Sequence, residues 1–191
     1  MKLYTSQTSP LRIAEISIPN INGKIGLTLC PGKKGPSAQR HTWARDLEAD
    51  LSAIVAWRAK SIVSLLESNE FEMLGVNGLG LAIKQRGIDW YHVEIMDGQR
   101  PDGRFLNRWP ALSATLASQL RCDERVLIHC RGGLGRTGTV AAILLVDLNV
   151  DVNSAIAMVR AARPGAIETL DQEAFVGEYA GVAATTSLAG R

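Results

Sequence analysis

Eight consecutive residues, His129 to Arg136, bring together a histidine, a cysteine, three glycines and two arginines. These types suit nucleophilic attack on a bound anion. A cysteine thiolate can attack, and glycines let successive backbone N–H groups turn toward one point. An arginine adds a planar fork that grips two phosphate oxygens at once. In "RVLIHCRGGLGRTGTVAAILL" an apolar run precedes the set and a small-residue apolar run follows it. That pattern predicts a strand ending at Cys130 and a helix starting around Gly135–Thr137. The amides of Arg131, Gly132, Gly133, Leu134, Gly135 and Arg136, with the positive end of that helix, then form a cradle for a dianionic phosphate. The same field favours the thiolate of Cys130, placed beneath the phosphorus. A cysteine that only fills space at a strand end leaves the arginine in a loop of small residues unexplained.

Transfer of a phosphoryl group from an ester to a thiolate leaves an alkoxide or phenolate that needs a proton. Asp97 and Asp102 in "IMDGQRPDG" follow a predicted strand about 30 residues before Cys130. On the residues alone both stay open, and turn chemistry is a further use for either. Lys33, Lys34 and Arg40 lie on the Pro/Gly loop "PGKKGPSAQR". A solvated basic loop is the simpler reading of these three, and steering of anionic substrates is the other. Cys30 ends a predicted strand near the same rim. It reads first as a core cysteine, with a reversible disulfide to Cys130 as the alternative.

The elements that must position these residues alternate. Two short strands around an Asn/Gly turn open the chain in "LRIAEISIPNINGKIGLTLC". An amphipathic helix is predicted from Thr42, with Thr42 as its cap. "SIVSLLE" and "DWYHVEIM" read as strands, with a glycine-weakened helix over 70–86 between them. A helix over 104–121, broken or begun afresh near Pro110, leads to the strand "RVLIHC". Helices over 135–149, 151–162 and 168–180 follow. This order predicts an α/β fold, a central mostly parallel sheet of four to five strands with helices on both faces. Sites in such sheets lie beyond the carboxyl ends of the strands, where the 30–41 loop, Glu67, the 97–103 loop and the 130–136 loop converge. The expected division is an N-terminal hairpin segment over 1–24, a catalytic domain over 25–182 and a loose tail over 183–191.

Composition excludes several classes. The 191 residues, 46% hydrophobic and 21% charged, match a single domain able to fold alone. A net charge of +2 without a Lys/Arg-rich block gives no reason to expect nucleic acid as a partner. No apolar run approaches the ~18 residues of a membrane span, and "MKLYTSQTSPLRIAE" lacks a signal-peptide core. A cytoplasmic location is the expectation. Three cysteines without C-x2-C spacing and three separated histidines offer no metal site. Nothing in the sequence bears on oligomeric state.

"HCRGGLGRTG" resembles the signature loop of the cysteine-dependent protein tyrosine phosphatase superfamily, His-Cys-x5-Arg-Ser/Thr. The spacing to the acidic loop and the "LLE…WYHVEIMDGQRPD" stretch resemble its dual-specificity branch, particularly kinase-associated phosphatases, over about residues 25–180. The resemblance implies hydrolysis of phosphate monoesters on phosphorylated proteins, on Tyr and on Ser/Thr, through a phosphocysteine and without metal or cofactor. It implies Cys130 as nucleophile, Arg136 as phosphate ligand and Asp97 as general acid, with Asp102 the competitor. It gives Thr137 the role of hydrogen-bonding the thiolate, and Gln172 in "ARPGAIETLDQEAF" that of placing the hydrolytic water. His129 orders the loop, and Arg163 and Glu168 brace it. A phosphoinositide or inositol phosphate phosphatase is the alternative. Relatives of that kind carry extra lysines in the cradle, whereas only Arg131 accompanies Arg136 here. A rhodanese-like sulfurtransferase and a non-catalytic phosphate-binding module are the remaining classes. The acid loop and Thr137 argue against sulfur transfer.

Overall fold

The computed structural model describes residues 2–37 and 41–189. Its first half contains β1 (Lys2–Tyr4), β2 (Ala14–Ile18), β3 (Ile21–Leu29), β4 (Lys34–Pro36), β5 (His41–Ala44), α1 (Leu47–Ala56), β6 (Ala59–Ser64), α2 (Ser68–Met73), α3 (Leu79–Lys84) and β7 (Asp89–His92). The second half contains α4 (Gly103–Arg121), β8 (Arg125–Cys130), α5 (Gly135–Asp147), α6 (Val152–Ala162) and α7 (Leu170–Ala189). Five strands form the central sheet in the order β2-β3-β8-β6-β7, parallel except for the β2–β3 hairpin. This is the expected α/β architecture.

Alternation along the strands decides what faces each side of the sheet. Val126, Ile128 and Cys130 of β8 point with Ile25, Leu27 and Val63 into a core closed by α4, α5, α6 and α7. Leu127 and Ile62 point the other way, into a core shared with α1 and α3. In the register of β3 and β8, Leu29 is the partner of Cys130, so Cys30 falls on the opposite face. Cys30 is buried in that second core, and burial, the largest of its influences, pushes its thiol pKa well up. The core reading of Cys30 therefore holds, and the pleat turns it away from Cys130.

Several expectations are corrected by long-range contacts. The turn of the hairpin is Pro19–Asn20, with Asn20 at φ 59°, so only the first residue of "NING" turns and Ile21, Asn22 and Gly23 already belong to β3. The boundary expected between residues 24 and 25 falls inside β3. Thr42 does not cap a helix: it lies in β5, which pairs with β1 and β4 in a small second sheet. Asp46 caps α1 instead, accepting from the Ala49 N–H at 2.8 Å. The helix expected over 70–86 is two short ones, α2 and α3, parted at Gly75, whose φ is 66°. Pro110 does not break α4. The buried stripe Phe105, Trp109, Leu112, Leu116 and Leu120 recurs every three or four residues. Burying it at ~1.5–3 kcal/mol per large side chain outweighs the ~3 kcal/mol cost of one interior proline. The segment expected to be a loose tail from 183 continues α7 as far as Ala189.

Candidate active site

Cys130 ends β8 and is 3% exposed. The chain then turns at Gly133, at φ 73°, where an added Cβ would stand 2.3 Å from the Thr28 carbonyl oxygen. Only glycine fits that approach. The turn aims the Gly133 N–H at Cys130 Sγ, 3.2 Å away. Carbonyls of the same loop are held outward. Arg163 Nε donates to the Gly133 oxygen at 2.6 Å and its Nη2 to the Gly132 oxygen at 3.0 Å. Lys33 Nζ donates to the Arg131 oxygen at 3.0 Å. With three of its carbonyls engaged in this way, the loop leads into α5 at Gly135.

Lys33 corrects the solvated-loop reading. It is 6% exposed, its ammonium lies 4.2 Å from the Trp43 ring centroid, and burial lowers its pKa to about 8. Lys34 is exposed, whereas Arg40 lies outside the described residues.

Arg136 is 2% exposed. Its Nη1 donates to Glu70 Oε2 at 2.5 Å and to the Ile95 oxygen at 3.0 Å, and its Nη2 donates to Glu70 Oε1 at 2.9 Å. Burial opposes both charges. The mutual hydrogen bonds win, holding the Glu70 carboxyl below its ordinary range and Arg136 above its own. Among the described residues, three buried side-chain polar atoms lack a hydrogen-bond partner, and two of them are Arg136 Nε and Thr137 Oγ1. Buried donors without partners are rare because each costs about 1–3 kcal/mol. Two in adjacent residues at the start of α5 mark a place built for a ligand.

His129 is fully buried on the far face of β8. Trp90 Nε1 donates to Ser64 Oγ at 2.8 Å, and that hydroxyl lies 2.6 Å from His129 Nε2. His129 Nδ1 reaches the Cys130 oxygen at 3.4 Å, which requires Nδ1 to carry the proton and Ser64 to donate to Nε2. Burial lowers the imidazole pKa to about 4, so the ring is neutral and orders the loop through its carbonyl.

The two loop aspartates occupy different settings. Asp102 caps α4, accepting from the N–H groups of Arg104 at 3.0 Å and Phe105 at 3.1 Å, and pairs with Arg104. The Phe105 N–H, then Arg104, hold its carboxyl below the usual range. Asp97 instead sits at the cradle mouth, with Oδ1 2.7 Å from Arg136 Nη2 and Oδ2 3.8 Å from Arg131 Nη1. Its N–H donates to Glu67 Oε2 at 3.3 Å.

Gln172 is 1% exposed beside Gly135. Its Oε1 accepts from the Glu168 N–H at 3.0 Å, and its Nε2 donates to the Gln99 oxygen at 3.1 Å. Glu168 Oε2 accepts from the Gly135 N–H at 2.7 Å. Ile167 takes a left-handed φ of 59° to deliver this turn, an unusual backbone for a β-branched residue. Glu70 joins the site, and Gln99 and Arg100 border it through α7, without having been singled out in the sequence. The signal for Glu70 was a carboxylate early in the helix that follows the carboxyl end of β6.

Comparison with known proteins follows the same lines. Residues 106–176 match a family model described as PTP-SAK, Swiss Army Knife protein, DSP-PTPase phosphatase domain. The chain is 29% identical over 178 residues to cyclin-dependent kinase inhibitor 3 of Rattus norvegicus, covering 91% of this chain and 80% of that one. It is 36% identical over 91 residues to the protein tyrosine phosphatase PRL-1 of Leishmania major, 44% of this chain and 52% of the relative. Among solved structures, kinase-associated phosphatase with its catalytic-site cysteine replaced by serine superposes with a TM-score of 0.80. That pair is 28% identical and covers 92% of this chain and 97% of the other.

Proposed function

We propose that the chain is a cysteine-dependent protein phosphatase of the dual-specificity branch, in which Cys130, Arg136 and Asp97 carry out the reaction in two steps; the similarity to such phosphatases supports this reading. The observation that carries this reading is the buried, unpartnered Nε of Arg136 beside the Cys130 loop. With Nη1 and Nη2 fixed on Glu70, Nε and Nη2 form the fork that takes two phosphate oxygens. The incoming phosphate displaces the Asp97 carboxylate from Nη2. The freed side chain, once it has taken up a proton from solvent, stands over the leaving oxygen as the acid.

In the first step the Cys130 thiolate forms an S–P bond as the P–O ester bond breaks, and Asp97 gives its proton to the leaving oxygen. In the second, water attacks phosphorus, Asp97 takes its proton, and the S–P bond breaks to release inorganic phosphate and the thiolate. Arg136 and the loop amides stabilise the equatorial oxygens in both steps. Thr137, whose buried hydroxyl is otherwise unpartnered, donates to the departing thiolate. Gln172 aligns the water once its amide leaves Gln99. The chemistry uses protons and hydrogen-bond donors of the chain itself, without metal or cofactor. Phosphorylated protein side chains are the substrates this reading assigns. The phosphoinositide alternative is less well supported, because Arg131 is the one additional cation contributed by the loop sequence.

Cys130→Ser tests the mechanism. Turnover of aryl phosphate falls to background while a phosphate analogue such as tungstate still binds, measured by calorimetry. A serine variant that turns over, or wild-type activity abolished by excess chelator, overturns it. Rates on phosphotyrosine, phosphothreonine and inositol phosphate substrates then rank the substrate classes.

Among the described residues no helix is long and apolar enough to cross a membrane.

A further inference from the structure

The acid loop is exposed at Met96, Asp97, Gly98 and Gln99, between a buried Ile95 and a buried Pro101. Gly98, at φ 74°, gives its centre backbone freedom. Apart from the ion pairs of Asp97 and its N–H bond to Glu67, the polar contacts among the described residues that tie this loop to other elements come from α7 at two adjacent loop residues, Gln99 and Arg100. The Gln99 oxygen accepts from Gln172 Nε2 at 3.1 Å. Arg100 Nη1 lies 3.0 Å from Glu178 Oε2 and 3.7 Å from Asp171 Oδ1, and its guanidinium is 5.7 Å from the Phe175 ring centroid. Asp171, Phe175 and Glu178 are spaced by four and three residues, so one stripe of α7 meets the loop. Arg100 reaches that stripe and no part of the phosphate cradle.

We propose that Arg100 is a positioning residue that clips the acid loop to α7 and so holds Asp97 over the cradle before substrate arrives. The proposal rests on the reading of Asp97 as the general acid. The pair is half exposed, with Arg100 40% and Glu178 59% accessible, so it biases an open–closed equilibrium rather than locking the loop. Pairs of this kind shift an equilibrium constant by up to about fivefold and weaken with salt. The clip therefore acts on proton delivery and leaves attack by Cys130 untouched.

The discriminating measurement is kcat/KM on two substrates. Phenyl phosphate has a leaving group with a pKa of about 10, like tyrosine, and needs the acid. Dinitrophenyl phosphate has a leaving group that departs without a proton. Arg100→Ala is expected to lose about three- to fivefold on phenyl phosphate and less than twofold on dinitrophenyl phosphate. Glu178→Gln is expected to show the same asymmetry, and Arg100→Lys to recover most of it. Salt at about 0.5 M should lower the wild-type ratio of the two rates toward that of Arg100→Ala. Equal losses on both substrates, or no loss, overturn the clip. Asp97→Asn is run alongside. If it leaves the ratio unchanged, the acid assignment itself has failed. If it collapses the ratio while Arg100→Ala does not, only the clip has failed.

Discussion

Among the described residues two bidentate arginine–carboxylate pairs are buried, and they are built to different ends. Arg45 donates from Nε and Nη2 to Asp50 at 2.7 and 2.8 Å, and from Nη1 to the Ser9 oxygen at 2.8 Å. Asp50 in turn accepts from the Gly32 N–H at 2.8 Å and from Ser6 Oγ at 2.7 Å. Every nitrogen of that guanidinium has a partner. The Arg136–Glu70 pair is buried as deeply, yet Arg136 keeps Nε unpartnered and shares Nη2 with an exposed aspartate. A closed network ties together the N-terminal segment, the Gly32 turn and α1. An open one keeps a donor that the described residues do not fill, the donor to which the proposed function assigns a phosphate oxygen. Burial and pairing alone do not separate structure from chemistry; the unmet hydrogen bond does.

Replacing each arginine by lysine breaks or sharpens this contrast most strongly. Arg136→Lys keeps the charge and loses the fork, so kcat/KM on aryl phosphate is expected to fall by about a thousandfold or more. Arg45→Lys is expected to change kcat/KM by less than about tenfold while lowering thermal stability. Comparable losses of activity in the two variants would erase the distinction.

Next in size is Asp50→Asn, which leaves the Arg45 charge buried without its counter-ion. Urea unfolding is expected to show a loss of about 3–5 kcal/mol, the usual cost of breaking a buried pair from one side. Phosphate-analogue affinity, measured where the variant is folded, should stay within a few-fold of wild type.

A smaller effect reads the neutral buried imidazole beneath the cradle. The folded-state pKa of His129 is lowered to about 4 from an ordinary 6.5. Between those values the unfolded chain binds more protons, so stability rises with pH across the window and is lost as pH falls from 6.5 toward 4. The contribution is about 3 kcal/mol. Unfolding midpoints of wild type and His129→Gln, compared at about pH 7, 5.5 and 4, should converge as the pH drops. Parallel curves would show that the ring is already charged in the folded protein.

Much of this was legible along the chain. Strand β8, the glycine turn and α5 follow from an apolar run, three glycines and a small-residue helix, all local signals. Asp97 and Asp102 were both visible in one loop, but their separation was not. Asp102 is taken up by capping α4, whereas Asp97 meets an arginine brought from 39 positions later in the sequence. Lys33 reads as a surface lysine until Trp43 and the Arg131 carbonyl close over it. The sheet of β1, β4 and β5 escapes local reading because its short strands owe their existence to each other.

By itself, the sequence determined the arrangement on which the proposed chemistry rests: Cys130, the glycine loop and Arg136 between a strand and a helix, since their types and spacing act within a single turn of chain. It also determined the alternation of strands and helices that carries this loop to the carboxyl end of the sheet's central strand. Only the tertiary structure decided what holds that chemistry in place. Glu70 on Arg136, Arg163 on the loop carbonyls, Ser64 on His129 and α7 on the acid loop all join residues far apart in the chain. Such contacts arise from packing, where hydrogen-bond geometry between distant segments selects among residues that look alike in sequence.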